Sequence, residues 1–501
     1  MTPFDSTLAG ERLAQTWDED LTQQISDYIE IPAKSPAFAA DWQAQGHIDT
    51  VVRRACTWVE QQQVAGLALE VVRLPGRTPL IFFEVPAAHT ASGQTALMYG
   101  HLDKQPEFEG WRSHLGPWTP VIQDEKLYGR GGADDGYAIY ASVAAIKELQ
   151  RQGVAHPRIV GLFETCEESG SYDLLPYVDA LRTRLGEVAL VVCLDSGAGN
   201  YEQLWLTTSL RGMASGTLKV EILTEGVHSG DSSGLVPSSF RIMRQVLDRL
   251  EDSRTGRLLP ESFHVPVPAE RLAQAQAAAA ILGDTVISNF PWAHYDCAGA
   301  SLQALATTSD PVQALLRRTW EPTLSVTGAE GLPALKDAGN VLRPYTAFKL
   351  SLRTPPTVDA GACVAEMQRI LEDNAPYQAR VSFHVDGAAN GWNAPAVAPW
   401  LASALDEASQ AHFGAPCGYI GQGGTIPLMN ILSRGFPQAQ MMVCGVLGPR
   451  SNAHGPNEFL HLPYAKRLTA VVAQVLTRMA AQAPGSPQTL QPQQQEAPGP
   501  Q

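Results

Sequence analysis

A basic surplus, paired cysteines and long apolar runs are all missing from this 501-residue chain. Lys and Arg number 36 against 51 Asp and Glu, a net charge of −15 at pH 7. Nucleic-acid binding, which depends on clustered Lys and Arg displacing counterions, is not expected. A locally positive pocket stays compatible with that acidity, because bound cations invert the field of an acidic site. No run of about 18 apolar residues occurs, so a membrane span is not expected. Residues 1–20 show no basic stretch followed by an apolar one, so a secretory signal is not expected. The seven cysteines (Cys56, Cys166, Cys193, Cys297, Cys363, Cys417, Cys444) are scattered, odd in number and never spaced C-x-x-C. They read as reduced thiols of a cytosolic protein rather than a disulfide framework or zinc ribbon. Neither H-E-x-x-H nor a Walker loop occurs, and serine-elbow chemistry is not expected.

At 501 residues the chain exceeds one hydrophobic core, so two or more domains are expected. Apolar residues at 44% and charged residues at 17% are ordinary for a globular protein. Leu21, Ile25, Tyr28 and Ile29 recur near helical spacing before Pro32, and a second helix is expected over 48–63. Strand-like runs at 67–74, 79–85 and 95–99 precede a helix over 137–150 and strands at 158–164 and 188–194. That alternation predicts an α/β layer sheet. From about Ser209 a strand–helix–strand–helix–strand pattern (213–223, 238–250, 346–352, 358–374, 379–385) predicts a small inserted α+β domain. Between its first helix and second strand, 251–339 holds an Ala-rich helix around 273–282 and is otherwise hard to place. Past Asn393 the α/β character returns, with helices at 400–413 and 464–480 and a strand at 440–445. The expected division is 1–208 plus 389–482 for the larger domain and 209–388 for the insert. The Pro/Gln-rich tail 483–501 has too few apolar residues to repay ordering entropy and is expected to be disordered.

Five segments put acidic and imidazole groups at strand ends or in glycine turns, where α/β sheets build sites. In Tyr99-Gly-His-Leu-Asp103 the imidazole could ligate a metal through one nitrogen while Asp103 accepts from the other. Tyr128-Gly-Arg-Gly-Gly-Ala-Asp-Asp-Gly136 is a glycine turn closing on two aspartates. Asp134 could bridge two cations, and Asp135 could cap or orient. Gly129, Gly131 and Gly132 loosely imitate a dinucleotide loop, but the paired aspartates would repel a pyrophosphate. In Phe163-Glu-Thr-Cys-Glu-Glu-Ser-Gly170 one of Glu167 and Glu168 could ligate while the other accepts a proton. Cys166 has no base beside it and reads as packing. Val191-Val-Cys-Leu-Asp195 ends an apolar strand in a carboxylate, and the loop Gly448 to Glu458 carries His454 among turn formers. Singly, each reads as well as a solvated loop, a helix cap or a surface histidine. Their occurrence together, in order, is the informative feature.

The motifs G-H-x-D, G-R-G-x-x-D-D, E-E-x-G-S and H-G-x-N-E jointly resemble one metallopeptidase family. It is the family of acetylornithine deacetylase, succinyl-diaminopimelate desuccinylase, glutamate carboxypeptidase, aminoacylase and carnosinase. The likeness spans about 15–480 and looks most like the carnosinase-type dipeptidase branch. It implies an α/β fold: a catalytic α/β sandwich of the phosphorylase/hydrolase-like, zinc-peptidase type with an inserted α+β lid that dimerises through its sheet and helix. It also implies two divalent metal ions per subunit, Zn2+ or Mn2+ with Co2+ as a third option. His101, Asp134 and Asp195 would hold one ion; Asp134, Glu168 and His454 would hold the other. Glu167 would be the general base and Asp103 the partner of His101. His228 matches a histidine that reaches the other subunit's active site and steadies the oxyanion. Asn340 and Arg353 match oxyanion and substrate-carboxylate contacts, and Gly424 and Thr425 lie in a turn resembling a carboxylate loop.

The expected activity is metal-dependent hydrolysis of a peptide or amide bond in a dipeptide or similar small substrate with a free carboxylate. An N-acyl-amino-acid deacylase or desuccinylase with the same metal centre is the alternative. A cytoplasmic homodimer is expected, with neither nucleic acid nor membrane as partner. Departures from the branch fall in loops. Gly421-Gln422 stands where relatives have Arg-Glu, and Leu102-Asp-Lys-Gln-Pro106 where they have Tyr-Asp-Val-Gln-Pro. None removes a ligand, so they bear on substrate identity.

Overall fold

The computed structural model describes residues 3–90, 93–297, 300–425 and 427–482. The tail expected to be disordered lies outside them. Two compact units emerge: one runs to Leu206 and resumes over Ala394–Gly418 and from Ile431, and the other comprises Thr207–Asn393 and Tyr419–Asn430.

The first unit is built on a six-stranded sheet. Its order is Ala68–Val72, Leu80–Val85, Arg158–Glu164, Thr95–His101, Val188–Cys193 and Gln440–Val443. The last four strands are parallel, and the first two pair antiparallel. Every residue of Thr95–His101 and Val188–Cys193 is buried. Burial on both faces is why these segments are unbroken apolar runs rather than alternating ones. Helix Tyr137–Gln152 packs on strand Thr95–His101 and against helix Leu462–Ala480. Both helices bury residues around most of their circumference. Helix Ser6–Thr16, absent from the sequence reading, also lies against Leu462–Ala480. It buries only Ala9 and Leu13, too thin a stripe to show as amphipathic periodicity.

The second unit holds a four-stranded antiparallel sheet ordered Thr323–Glu330, Tyr345–Thr354, Gly212–Glu221, Arg380–Ala389. Strand Gly212–Glu221 buries every second residue, the mark of a sheet with one packed face. Leu218, Val220, Leu350 and Leu352 meet Ile242 and Met243 of helix Ser239–Leu247 and Met367 of helix Ala360–Glu372. Strand Thr323–Glu330 lies in the stretch that was hard to place. Its last six residues are exposed, so no alternation reports it. No helix among the described residues is long and apolar enough to cross a membrane.

Candidate active site

The parallel strands of the first unit deliver their C-terminal ends to one edge, where α/β sheets bind ligands. His101 ends strand Thr95–His101, Glu167 and Glu168 follow strand Arg158–Glu164, and Asp195 follows strand Val188–Cys193. Asp134 arrives from the glycine turn ahead of helix Tyr137–Gln152. Gly131 has φ 82°, and at Gly136 an added Cβ would lie 2.1 Å from the Tyr28 ring. Side chains at these two positions would push the aspartates out of place. The Asp134–Asp135 peptide bond is cis.

The Asp134 carboxylate stands between two imidazoles. One oxygen is 3.3 Å from His101 Nε2 and the other 3.0 Å from His454 Nε2. Asp195 and Glu167 lie 3.8 and 3.9 Å from His101 Nε2, and Glu168 lies 3.3 Å from His454 Nε2. Two potential ligand groups result, His101 with Glu167 and Asp195, and Asp134 with Glu168 and His454, each with its ligand atoms within 4.8 Å of one another. Glu167 thus faces the same side as His101 and Asp195.

His101 is fully buried, and its Nδ1 faces the backbone oxygen of Asp103 at 3.1 Å, with the Asp103 carboxylate at 3.5 Å. That leaves Nε2 for the centre. The Asp103 carboxylate itself accepts the backbone N–H groups of Glu167 and Glu168 at 3.1 and 3.0 Å, which sets both glutamates.

Charge in this cluster is strongly perturbed. Burial pulls the His101 imidazole down, but Asp103 and Asp134 outweigh it and hold the ring well above its ordinary value. Burial pushes Asp134 up, yet hydrogen bonds from His101 and His454 bring it far below the usual carboxylate range. Burial, then Asp195, raises Glu167; burial, then Asp134, raises Asp195 to about 7. Four carboxylates and two imidazoles crowd together, and among the described residues no Lys or Arg ion-pairs with any of them. That donor set fits a pair of divalent cations.

Among the supporting residues only Asp135 had a role in the sequence reading, as a cap or an orienting group. Asp135 accepts the His101 backbone N–H at 3.3 Å. Gln105 donates to Glu168 Oε2 at 2.6 Å. Buried Lys104 donates to the carbonyls of Tyr28 and Ile31 at 2.7 and 2.8 Å, tying the end of helix Thr22–Ile29 to the loop after His101. Arg130 donates to Glu458 at 2.5 Å and to the carbonyls of His454 and Gly455 at 3.0 and 2.8 Å. Glu458 in return accepts the Gly131 N–H at 2.9 Å. Both residues stood in the motifs, but only their pairing across the fold shows what they hold.

The other expected residues lie in the second unit, in two groups. His228 is exposed on strand Val227–His228, its Nδ1 accepting the Gly230 N–H at 3.2 Å. Asn340 precedes the paired strand Val341–Leu342 and accepts the Ser229 N–H at 2.9 Å, so the two are neighbours. Arg353 donates to the Thr425 hydroxyl at 2.8 Å, and that hydroxyl donates to the Arg211 carbonyl at 2.6 Å. Gly424 has open space around it, whereas a Cβ at Gly423 would lie 2.8 Å from the Arg318 carbonyl oxygen. Gly423 is the glycine this turn requires. The string Gly230-Asp231-Ser232-Ser233-Gly234 spells G-x-S-x-G, contrary to the expected lack of any serine-elbow signal. Ser232 sits in a four-residue helix and donates to the His228 carbonyl at 2.8 Å, so it is no exposed elbow nucleophile.

A family model described as peptidase family M20/M25/M40 matches residues 97–478. The chain belongs to that family. The peptidase is 26% identical over 475 residues to the cysteinylglycine-S-conjugate dipeptidase of Corynebacterium striatum, covering 91% of this chain and 93% of the relative. It is 25% identical over 369 residues to the human Beta-Ala-His dipeptidase, covering 70% and 68%. Its fold is similar to that of the di-peptidase Dug1p from Saccharomyces cerevisiae, with a TM-score of 0.74 at 20% identity over 94% of this chain and 98% of that one. The fold is therefore the α/β architecture with an inserted domain, and the peptidase is a metal-dependent hydrolase.

Proposed function

We propose that the peptidase is a di-metal dipeptidase, hydrolysing the amide bond of a small peptide with a free C-terminal carboxylate. One observation carries this reading: the Asp134 carboxylate standing between His101 and His454, with a further carboxylate beside each imidazole. His101, Asp134 and Asp195 would hold one cation, and Asp134, Glu168 and His454 the second. The mixed imidazole and carboxylate donors suit Zn2+ or Mn2+, with Co2+ as a third option. When bound, such cations polarise the scissile carbonyl and lower the pKa of a water towards about 7. Glu167 takes the proton of the attacking water and returns it to the leaving amine. The names of the dipeptidase relatives support the substrate class.

In this reading residues 1–208 and 389–482 form the catalytic domain and 209–388 the lid. His228 and Asn340 stabilise the oxyanion, while Arg353, Gly424 and Thr425 receive the substrate carboxylate. Two copies pair through the lid sheet and helix, and each supplies His228 to the other. The exposed imidazole of His228 and the exposed edge strand Thr323–Glu330 support that pairing. A cytoplasmic location is supported by seven cysteines that are all free thiols.

Metal analysis of the purified protein beside a dipeptide panel, with and without chelator, tests the proposal. Two divalent ions per chain and chelator-sensitive hydrolysis are expected; hydrolysis indifferent to chelator overturns the reading. Mixing His228→Ala with Glu167→Gln protein is expected to restore activity that neither has alone. If the mixture stays inactive, His228 does not act across the pair.

A further inference from the structure

Lys104 lies one residue beyond Asp103 and is fully buried. Its Nζ donates to three backbone carbonyls, those of Tyr28 at 2.7 Å, Ile29 at 3.3 Å and Ile31 at 2.8 Å. Helix Thr22–Ile29 ends there, and a helix end carries partial negative charge on carbonyls that lack intrahelical donors. An ammonium presents three N–H groups, one for each of these oxygens. Its Nζ also stands 3.9 Å from the centroid of the Tyr28 ring. The charge is costly to keep, because burial pulls the ammonium well below its ordinary pKa. Lys104 is also one of the chain's departures from the branch string Tyr-Asp-Val-Gln-Pro, so the family motif does not account for it.

The segment 22–38 that Lys104 holds touches three of the loops that carry the carboxylate–imidazole cluster. At the loop after His101, the Tyr28 hydroxyl donates to the Leu102 carbonyl at 3.1 Å. The two backbones also pair there: Lys104 N–H donates to the Ala33 carbonyl at 3.0 Å, and the Lys104 carbonyl accepts the Ser35 N–H at 2.9 Å. At the turn carrying Asp134, a Cβ on Gly132 would lie 2.9 Å from Ile29 Cδ1, and one on Gly131 2.8 Å from Lys104 Cγ. Helix end and lysine stem are thus the wall on which that turn closes. At the glutamates, the Ser35 and Ser169 hydroxyls lie 2.5 Å apart, and Ser169 Oγ accepts the Ala37 N–H at 2.9 Å. Ser169 directly follows Glu168 in the short helix Glu167–Ser169.

We propose that segment 22–38, latched by the Lys104 ammonium, is a brace that sets the spacing of the metal ligands. This rests on the di-metal reading of the cluster and deepens it. Lys104 is a positioning residue, acting through the end of helix Thr22–Ile29 and through the backbone beside Asp103. Asp134, Glu167 and Glu168 stand outside the strands, in a glycine turn and a three-residue helix. Like charges held close disfavour one another, so the loops that carry them must be fixed from outside the cluster. Three loops fastened to one helix end keep their spacing whether or not cations are bound.

Lys104→Met in the full chain tests this, since Met keeps the apolar stem and removes the charge. Co2+ titration followed by visible absorption reads both affinity and ligand geometry, independently of turnover. Affinity is expected to fall about 10- to 100-fold, the range that follows loss of groups orienting metal ligands, and the cobalt band to shift. A residue that serves stability alone would lower the unfolding temperature and leave the band and affinity of the folded protein at wild-type values. That result overturns the brace. Should Lys104→Met not fold, Ser169→Ala decides, because it releases the glutamate turn from the segment without removing a buried charge. It is expected to alter the band and weaken one of two ions, and wild-type behaviour there overturns the brace. A wild type without any cobalt band overturns the di-metal reading itself. Bound cobalt without hydrolysis of any dipeptide overturns only the substrate class, and the brace stands.

Discussion

Glu167 and Glu168 are adjacent in the chain, yet the short helix Glu167–Ser169 sends their carboxylates to different neighbours. Glu168 faces His454 and accepts a hydrogen bond from Gln105, the surroundings of a fixed ligand. Glu167 faces His101 at 3.9 Å, with no hydrogen-bond donor from Gln105 holding it as one holds Glu168, which leaves its carboxylate to take a proton from water. Glu167→Gln keeps size and loses basicity. Metal content is expected to persist while kcat falls by at least about 100-fold, the range general-base catalysis supplies. Metal analysis alongside steady-state kinetics decides it, and near-normal turnover removes Glu167 from the role. Glu168→Gln is expected to show the opposite order, with metal lost first.

The loop after strand Gln440–Val443 is costly to hold. Arg450, Asn452, His454 and Asn457 all have positive φ, His454 at 65°. Such backbone persists only where the surroundings over-determine it, at about 1–3 kcal/mol each. Arg130 provides that restraint from the glycine turn, binding the carbonyls of His454 and Gly455 while pairing with buried Glu458. Arg130→Met would leave the Glu458 carboxylate buried without its cation, a loss of about 3–5 kcal/mol. Thermal unfolding measures that loss, and metal titration is expected to show one of two ions weakened because His454 is released. Arg130→Met with Glu458→Leu is expected to regain stability without regaining metal affinity. Wild-type affinity for both ions in the single variant would leave Arg130 a purely structural role.

For the molecule as a whole, the four clustered carboxylates bear on how the chain unfolds. In the first unit Asp134, Glu167, Glu168 and Asp195 cluster at one site, and among the described residues no Lys or Arg side chain ion-pairs with these four. Bound divalent ions are therefore expected to stabilise this unit by about 2.7 kcal/mol at a free concentration 100 times Kd. Chelation is expected to lower its unfolding temperature by several degrees, at about 2–4 °C per kcal/mol, and to leave the transition of the second unit in place. Calorimetry with and without chelator reads both transitions. An unmoved first transition counts against cation binding in the cluster.

Chemistry and strand ends could be read locally, because a doubly buried parallel strand must be a continuous apolar run and its ligand follows where the run stops. His101, Asp195 and the glutamate pair stand at such ends, and the glycine turn announces Asp134. Strand Thr323–Glu330 had no local signal, since an exposed edge needs no hydrophobic period. Nor could any pattern say that Arg130 seeks Glu458, or that Lys104 closes a helix end. Those contacts are chosen by which buried polar group lacks a partner once the layers have packed. The same holds for Arg211 and Arg353, ordinary residues one by one, which meet only at the turn 423–425. Periodicity and turn chemistry act over a few residues and are written in order along the chain. Charge compensation acts through space, and only the folded chain assigns it.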